Sequence, residues 1–251
     1  MSYEAEIPGT KVTKEQLQII CSRYYFTSQF VAGKQVLEVG CGPGLGLGYL
    51  SRGAERVIGG DYAENNLRRA QQHYRGRVEL IRLDAHNLPF PDNYFDVVVT
   101  MATVIYLKLD SFFKESYRVL KKEGSLVFCI PNKDQPDFQG SPLSKNYFSI
   151  PELLLLMDEH FDARFFGAFP VSKALQVTKR RDTIVAKVGE VLVLMPKGEK
   201  IKAFLSRALL GTSVLTEEIE DGTVENIKPE PIRDDSPTFQ YRVLYAIAHT
   251  R

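Results

Sequence analysis

Cysteine is scarce in this chain and spread too widely for cysteine chemistry. There are three in 251 residues, Cys21, Cys41 and Cys129. No CxxC pair exists, which argues against a structural zinc site and against a redox dithiol. So sparse and odd a count fits a reducing compartment. An excess of one charge is also missing. With 32 Lys and Arg against 31 Asp and Glu, the net charge is +1. No global field would draw the protein onto nucleic acid or an anionic membrane. Long apolar runs are absent as well. The stretch "IPELLLLM" falls far short of the roughly 18 residues of a membrane span. The first residues, "MSYEAEIPGTKVTKE", are polar and carry acids, unlike a signal peptide. Internal repeats and low-complexity tracts are also lacking. The expectation is a cytoplasmic protein of one domain with an elaboration, its 44% hydrophobic and 25% charged residues sufficient for a sizeable core.

What is present is an alternation of strand and helix. Lys14 to Phe30 reads as a helix capped by Thr13. Short apolar strands follow in "KQVLEVG", "ERVIGGD" and "RVELIRLD", with the polar-faced helix "AENNLRRAQQHY" among them. "YFDVVVTM" is nearly continuous in apolar residues, as a strand covered on both faces should be. The helix "SFFKESYRVLKK" is expected to stop at Gly124 before "SLVFCIP". A helix from Ile150, with Pro151 in its first turn, and the strands "ARFFGAFPV" and "FQYRVLYAIAHT" complete the pattern. Such alternation predicts an α/β fold, a Rossmann-like, seven-stranded and mostly parallel sheet with helices on both faces. Residues 1–171 and 239–251 would form this domain, and residues 172–238 an inserted cap. Within the insert "IKAFLSRALLG" reads as helical and "TIVAKVGEVLVLMP" as patterned and apolar. Its basic run (Lys173, Lys179, Arg180, Arg181, Lys187) and acidic run (Glu217, Glu218, Glu220, Asp221) read as solvated surface.

The most informative stretch is "VLEVGCGPGLGLGYL", with five glycines in nine positions directly after the first of the parallel strands. A glycine-rich turn there lets a ligand approach the backbone at the carboxyl end of the sheet. The dinucleotide fingerprint needs Gly at i, i+2 and i+5. Starting from Gly40, Gly42 or Gly44, the third position is Leu45, Leu47 or Tyr49. No register fits, so nicotinamide-dependent reduction ranks last.

The spacing that does occur, Glu38 followed by Gly40, Gly42 and Gly44, resembles motif I of the class I S-adenosylmethionine-dependent methyltransferases. Further along, "LDAHNLPFPDNYFDVVV" and "RVLKKEGSLVF" also resemble that family, in the subgroup acting on small molecules. The resemblance covers roughly residues 30 to 170 and the last strand. It implies S-adenosyl-L-methionine as cofactor and S-adenosyl-L-homocysteine as product. It implies that the loop Gly40, Cys41, Gly42, Gly44 lies beneath the methionine part, with Glu38 facing its amino group, a charge-assisted pair. Asp61, beside Tyr62, would accept from the ribose hydroxyls, and Asp84 and Ala85 would flank the adenine. Tyr24, and less strongly Arg23, would close over the cofactor from the first helix.

The acceptor should sit at the end of "YFDVVVTM". Amino-methylating nucleic-acid and protein enzymes carry an N/D-P-P-Y/F motif there, which this chain lacks. The paired-glutamate loop of the arginine enzymes and the Pro-Cys setting of cytosine C5 methylation are missing too. A small-molecule acceptor without nucleic acid is therefore expected, with a homodimer left open. Tyr106 and His86 are the candidate catalytic groups, histidine having a useful pKa for a base. Tyr106, Phe138, Tyr147 and Phe148 are the candidate acceptor contacts. Asp110 and Asp134 are too loosely placed for a catechol-type metal site, so no metal is expected. The expected reaction is O-methylation of a hydroxylated metabolite or sugar. Two alternatives stay open: N-methylation of a small amine, which needs less of a base, and a non-catalytic cofactor-binding subunit.

Overall fold

The computed structural model describes residues 6–136, 138–141, 144, 146–171, 212–233 and 238–251. The expected helix 201–211 and the apolar stretch 183–196 lie outside them. In chain order the elements are β1 (Lys11–Thr13), α1 (Lys14–Thr27), β2 (Gln35–Val39), α2 (Leu47–Ser51), β3 (Arg56–Asp61), α3 (Glu64–Tyr74) and β4 (Glu79–Arg82). There follow β5 (Phe95–Met101), α4 (Leu109–Val119), β6 (Leu120–Pro131), α5 (Ile150–Met157), β7 (Phe161–Pro170), β8 (Thr212–Val214), β9 (Glu230–Pro231) and β10 (Tyr241–Thr250).

The main sheet runs β4-β3-β2-β5-β6-β10-β7-β9. Its first five strands are parallel, and β10, β7 and β9 pair antiparallel at one edge. The sheet is thus the expected α/β, mostly parallel one, with eight strands where seven were expected. The extra strand is the two-residue β9, too short to show as a period-2 pattern. A separate antiparallel pair joins β1 to β8.

Both faces of the sheet are buried, which is why the strands read as apolar runs. Successive side chains alternate between two cores. Val36, Val97, Val99, Val127 and Tyr245 pack with α1, α2 and α3 on one face. Leu37, Val98, Leu126, Phe128 and Leu244 pack with α4 and α5 on the other. Two helix starts follow their local signals: Thr13 with Gln16, and Ser149 with Glu152 followed by Pro151 in the first turn, each form a capping box. One helix stop differs from expectation. The helix before β6 ends at Val119 rather than at Gly124, because Leu120 already pairs with Phe95 in the sheet.

The stretch "LPFPDNYFD" has its backbone carbonyls held from α4. Arg118 donates to the carbonyls of Leu88 (2.9 Å) and Phe90 (2.8 Å). It also pairs with Asp92 at 2.9 Å and Glu115 at 2.8 Å. Arg118→Ala is expected to remove about 2 kcal/mol of stability, lowering Tm by roughly 4–8 °C for a domain of this size. A thermal melt checks this, and an unchanged Tm would mean that the loop holds itself.

Chain order places a topological switch point in the sheet. From β2 the chain moves outward through β3 and β4, then returns to the other side of β2 as β5. The carboxyl ends of β2 and β5 therefore diverge into a crevice, where α/β sheets bind ligands.

Candidate active site

The glycine turn occupies that crevice. Gly40, Gly42 and Gly44 all take positive φ (74°, 57° and 91°), a region costly for side-chain-bearing residues. The turn is pinned to the end of β3. Gly40 and Cys41 donate their N–H groups to the Gly60 carbonyl at 2.7 and 3.0 Å. Gly42 donates to the Asp61 carboxylate at 2.8 Å. From the other side the Tyr74 hydroxyl donates to the Gly44 carbonyl (2.6 Å) and accepts from Gly48 N–H (2.9 Å).

The five glycines have different reasons for being there. A Cβ on Gly42 would meet nothing within 4 Å, so the backbone at that point is open to a ligand. A Cβ on Gly40 would drive into Thr103, which follows β5 and donates to the Gly40 carbonyl at 3.2 Å. Gly46 and Gly48 serve packing: side chains there would overlap the Tyr24 ring and the Glu218 carboxylate. Neither Thr103 nor the demands on Gly46 and Gly48 could be read from the sequence, since each depends on a residue distant in the chain.

Glu38 is fully buried. The Tyr24 hydroxyl donates to its Oε1 at 2.8 Å, while its Oε2 has no partner. Burial pushes its carboxyl up to about 8, with the Tyr24 hydrogen bond opposing and the Glu6 and Asp61 charges adding. A buried carboxyl with one orphan oxygen beside an open backbone suits a cationic group such as an ammonium. Asp61 accepts from Gly42 N–H on one oxygen, and from Ala63 N–H (2.7 Å) and Asn66 on the other. Tyr62 beside it is exposed, with Arg82 over its ring. Cys41 is buried within the turn, and burial pushes its thiol far up.

Asp84 and His86 form a local pair. Asp84 accepts from the His86 backbone N–H (2.9 Å) and faces its Nδ1 (2.7 Å). The backbone bond first, then the ring, holds the Asp84 carboxyl below its ordinary value. Lys108 N–H donates to His86 Nε2 at 3.0 Å. An accepting Nε2 means that Nδ1 carries the proton. His86 was expected as a base, yet in this arrangement neither nitrogen is left to take a proton from an acceptor. Instead it ties the segment after β4 to the start of α4. Ala85 between them is buried.

After β5 the chain turns sharply, with Ala102 at φ 62°. Beside it is a cavity whose lining includes Ala102, Phe138, Tyr147 and Arg23. Phe138 and Tyr147 meet edge to face, centroids 4.8 Å apart, and the Tyr147 hydroxyl accepts from Ser141 N–H. Phe148 does not line the cavity; it packs against the core beneath α5. Tyr106 is partly exposed in the short turn Val104–Tyr106 that follows. Asn132, buried at the end of β6, donates to the carbonyls of Thr238 and Tyr241 and so sets the start of the loop. Among the described residues no group of three His, Cys, Asp or Glu is placed to hold a metal ion. No helix there is long and apolar enough to cross a membrane.

The acidic run within 172–238 is not simply solvated surface. Glu218 is mostly buried and pairs with His73 (2.6 Å) and Arg77 (2.5 Å). Ile219 N–H donates to the Leu45 carbonyl, and the Tyr25 hydroxyl donates to the Glu220 carbonyl. Asp221 accepts from Tyr49 and Arg52. These residues form a strap over the helix that follows the glycine turn.

A switch-point glycine turn, an acid ending the next strand and a mostly parallel sheet define a Rossmann-like domain for a nucleotide-bearing cofactor. Residues 37–128 match the family described as "Methyltransferase domain", and over that part the chain is similar to proteins named as S-adenosylmethionine-dependent methyltransferases. It is 33% identical over 160 residues to phthiotriol/phenolphthiotriol dimycocerosates methyltransferase 1 of Mycobacterium ulcerans, covering 57% of this chain and 58% of that protein. It is 35% identical over 115 residues to a fatty-acid O-methyltransferase of Mycolicibacterium smegmatis, covering 43% and 42%. The matches thus span about half the length of these relatives. Its fold resembles that of an S-adenosylmethionine-dependent methyltransferase from Thermotoga maritima (TM-score 0.56, 16% identity, 94% of each chain).

Proposed function

We propose that the protein transfers a methyl group from S-adenosylmethionine to an oxygen of a small acceptor, a hydroxylated metabolite or sugar being the class expected. The observation that carries the cofactor half is the buried Glu38 carboxyl with its unpartnered Oε2 beside the open Gly42 backbone. When bound, the cofactor supplies a methyl on a sulfonium, so the hard chemistry is its own. The chain's residues bind and orient. Glu38 holds the amino group, Gly40, Cys41, Gly42 and Gly44 cradle the methionine part, and Tyr24 covers it. Asp61 accepts from the ribose hydroxyls, and Tyr62, Asp84 and Ala85 border the adenine. Tyr106, Phe138 and Tyr147 position the acceptor against the carboxyl end of β5. The named O-methyltransferase among the relatives supports an oxygen acceptor. A second reading, an amine acceptor, is favoured by the engagement of both His86 nitrogens, because an amine needs less of a base.

Calorimetric titration with S-adenosylhomocysteine tests the cofactor. Micromolar binding is expected, weakened tenfold or more, about 1.4 kcal/mol, by Asp61→Ala, with NADH not binding. Folded protein that fails to bind S-adenosylhomocysteine would remove the reading.

A further inference from the structure

A cavity of about 140 Å³ lies at the carboxyl ends of β5 and β6. That volume is close to the ~150 Å³ of an engineered cavity that holds benzene. Ile19, Ala102, Ile130, Phe138 and Val243 supply apolar wall. The charged side chains among its lining residues are Arg23 and Arg242, so both fixed charges are positive. Their acidic partners, Glu6 for Arg23 at 2.5 Å and Glu15 for Arg242, are not lining residues. Arg23 is buried, its side chain 7% exposed. Glu6 engages one terminal nitrogen, while Nε finds no partner. A guanidinium has five donors in a planar fork matched to a carboxylate. Nε is enclosed beyond the reach of an occupant, so an acceptor oxygen in that space would meet the guanidinium at the terminal nitrogen that Glu6 leaves free.

We propose that this cavity binds the acceptor, and that the acceptor carries a carboxylate on a compact apolar body of about ring size. Arg23 anchors the carboxylate, and Arg242 adds to the positive potential at the wall. The inference rests on the methyltransferase reading only in calling the occupant the acceptor. The cavity abuts the cofactor crevice because Ala102 precedes Thr103, which bonds the Gly40 carbonyl.

The test is calorimetric titration of the whole chain with benzoate, benzyl alcohol and benzylamine, with and without saturating S-adenosylhomocysteine. Benzoate is expected to bind at least tenfold more tightly than either of the others, and to do so in the presence of S-adenosylhomocysteine. Arg23→Gln should bring benzoate down to the level of benzyl alcohol. Because Arg23 is buried and its loss could unfold the protein, Gln139→Glu is the second variant. It places an acid on the exposed loop at the cavity wall, and should weaken benzoate and strengthen benzylamine. Equal or tighter binding of benzyl alcohol or benzylamine to the unaltered protein overturns the proposal. So does benzoate binding untouched by both variants. Mutual exclusion of benzoate and S-adenosylhomocysteine also overturns it, since Arg23 would then serve the cofactor's own carboxylate. Failure of S-adenosylhomocysteine alone to bind strikes the methyltransferase reading instead, and leaves the benzoate comparison standing as a statement about the cavity.

Discussion

Affinity for S-adenosylhomocysteine is expected to rise about tenfold per pH unit between pH 6 and 8, and Glu38→Gln should abolish most of that rise. The free protein holds Glu38 protonated through neutral pH, because burial pushes its carboxyl up to about 8. An ammonium group is stabilised by the carboxylate, so binding must expel a proton. One proton released gives one decade of affinity per pH unit, fading once Glu38 ionises by itself. Calorimetry at pH 7 in buffers of different ionisation enthalpy should show close to one proton leaving. The variant carries the ligand's own titration, so the difference between the two proteins isolates Glu38. A parallel slope in both would place the ammonium elsewhere.

The same ionisation bears on stability without ligand, with a definite sign. A carboxyl raised in the folded state contributes most below its unfolded value of 4.5. That contribution is lost as pH rises toward about 8. The Tm of the unaltered protein should therefore fall relative to Glu38→Gln across this window.

Gly40→Ala is expected to be strongly destabilising, because it combines a backbone cost with a collision. At φ 74° the side chain costs about 1–2 kcal/mol. Its collision with Thr103 adds about 1–3 kcal/mol of overpacking. The sum corresponds to a Tm lower by roughly 5–15 °C. Adding Thr103→Gly removes all three clashing atoms, including the Cβ that an alanine would keep 2.8 Å away, so it should recover the packing part and leave the backbone part. Gly42→Ala is the control, having the backbone cost without a collision. A fall of less than about 2 °C for Gly40→Ala would show that the turn relaxes freely.

Much of the fold was legible because both faces of the sheet are covered. Val97, Val98 and Val99 are all buried, so the middle of β5 stands out as an apolar run whichever core each residue enters. β9 was not legible, because two residues carry no period. The end of α4 at Val119 was missed for a related reason. Leu120 leaves the helix to pair with Phe95, and nothing in "RVLKKEG" signals a partner 25 positions earlier. The candidate site divides in the same way. Glu38, Gly40, Gly42, Gly44 and Asp61 lie close to successive strand ends, so chain order alone brings them to one edge of the sheet. His86 looked available as a base because its two partners could not both be read from the sequence. Asp84 is a neighbour, but Lys108 reaches it only once α4 has packed.

By itself, then, the sequence determined the α/β alternation and the order of acids and glycines at the strand ends. These are local patterns, repeated by backbone geometry wherever they occur. Only the tertiary structure decided that Gly46 makes room for Tyr24, that Glu218 closes on α3, and that Glu38 keeps one oxygen unpartnered. It alone placed an unsatisfied Arg23 beside an apolar cavity. Each of these depends on desolvation and on contact between residues distant in the chain, and both arise only when the chain packs.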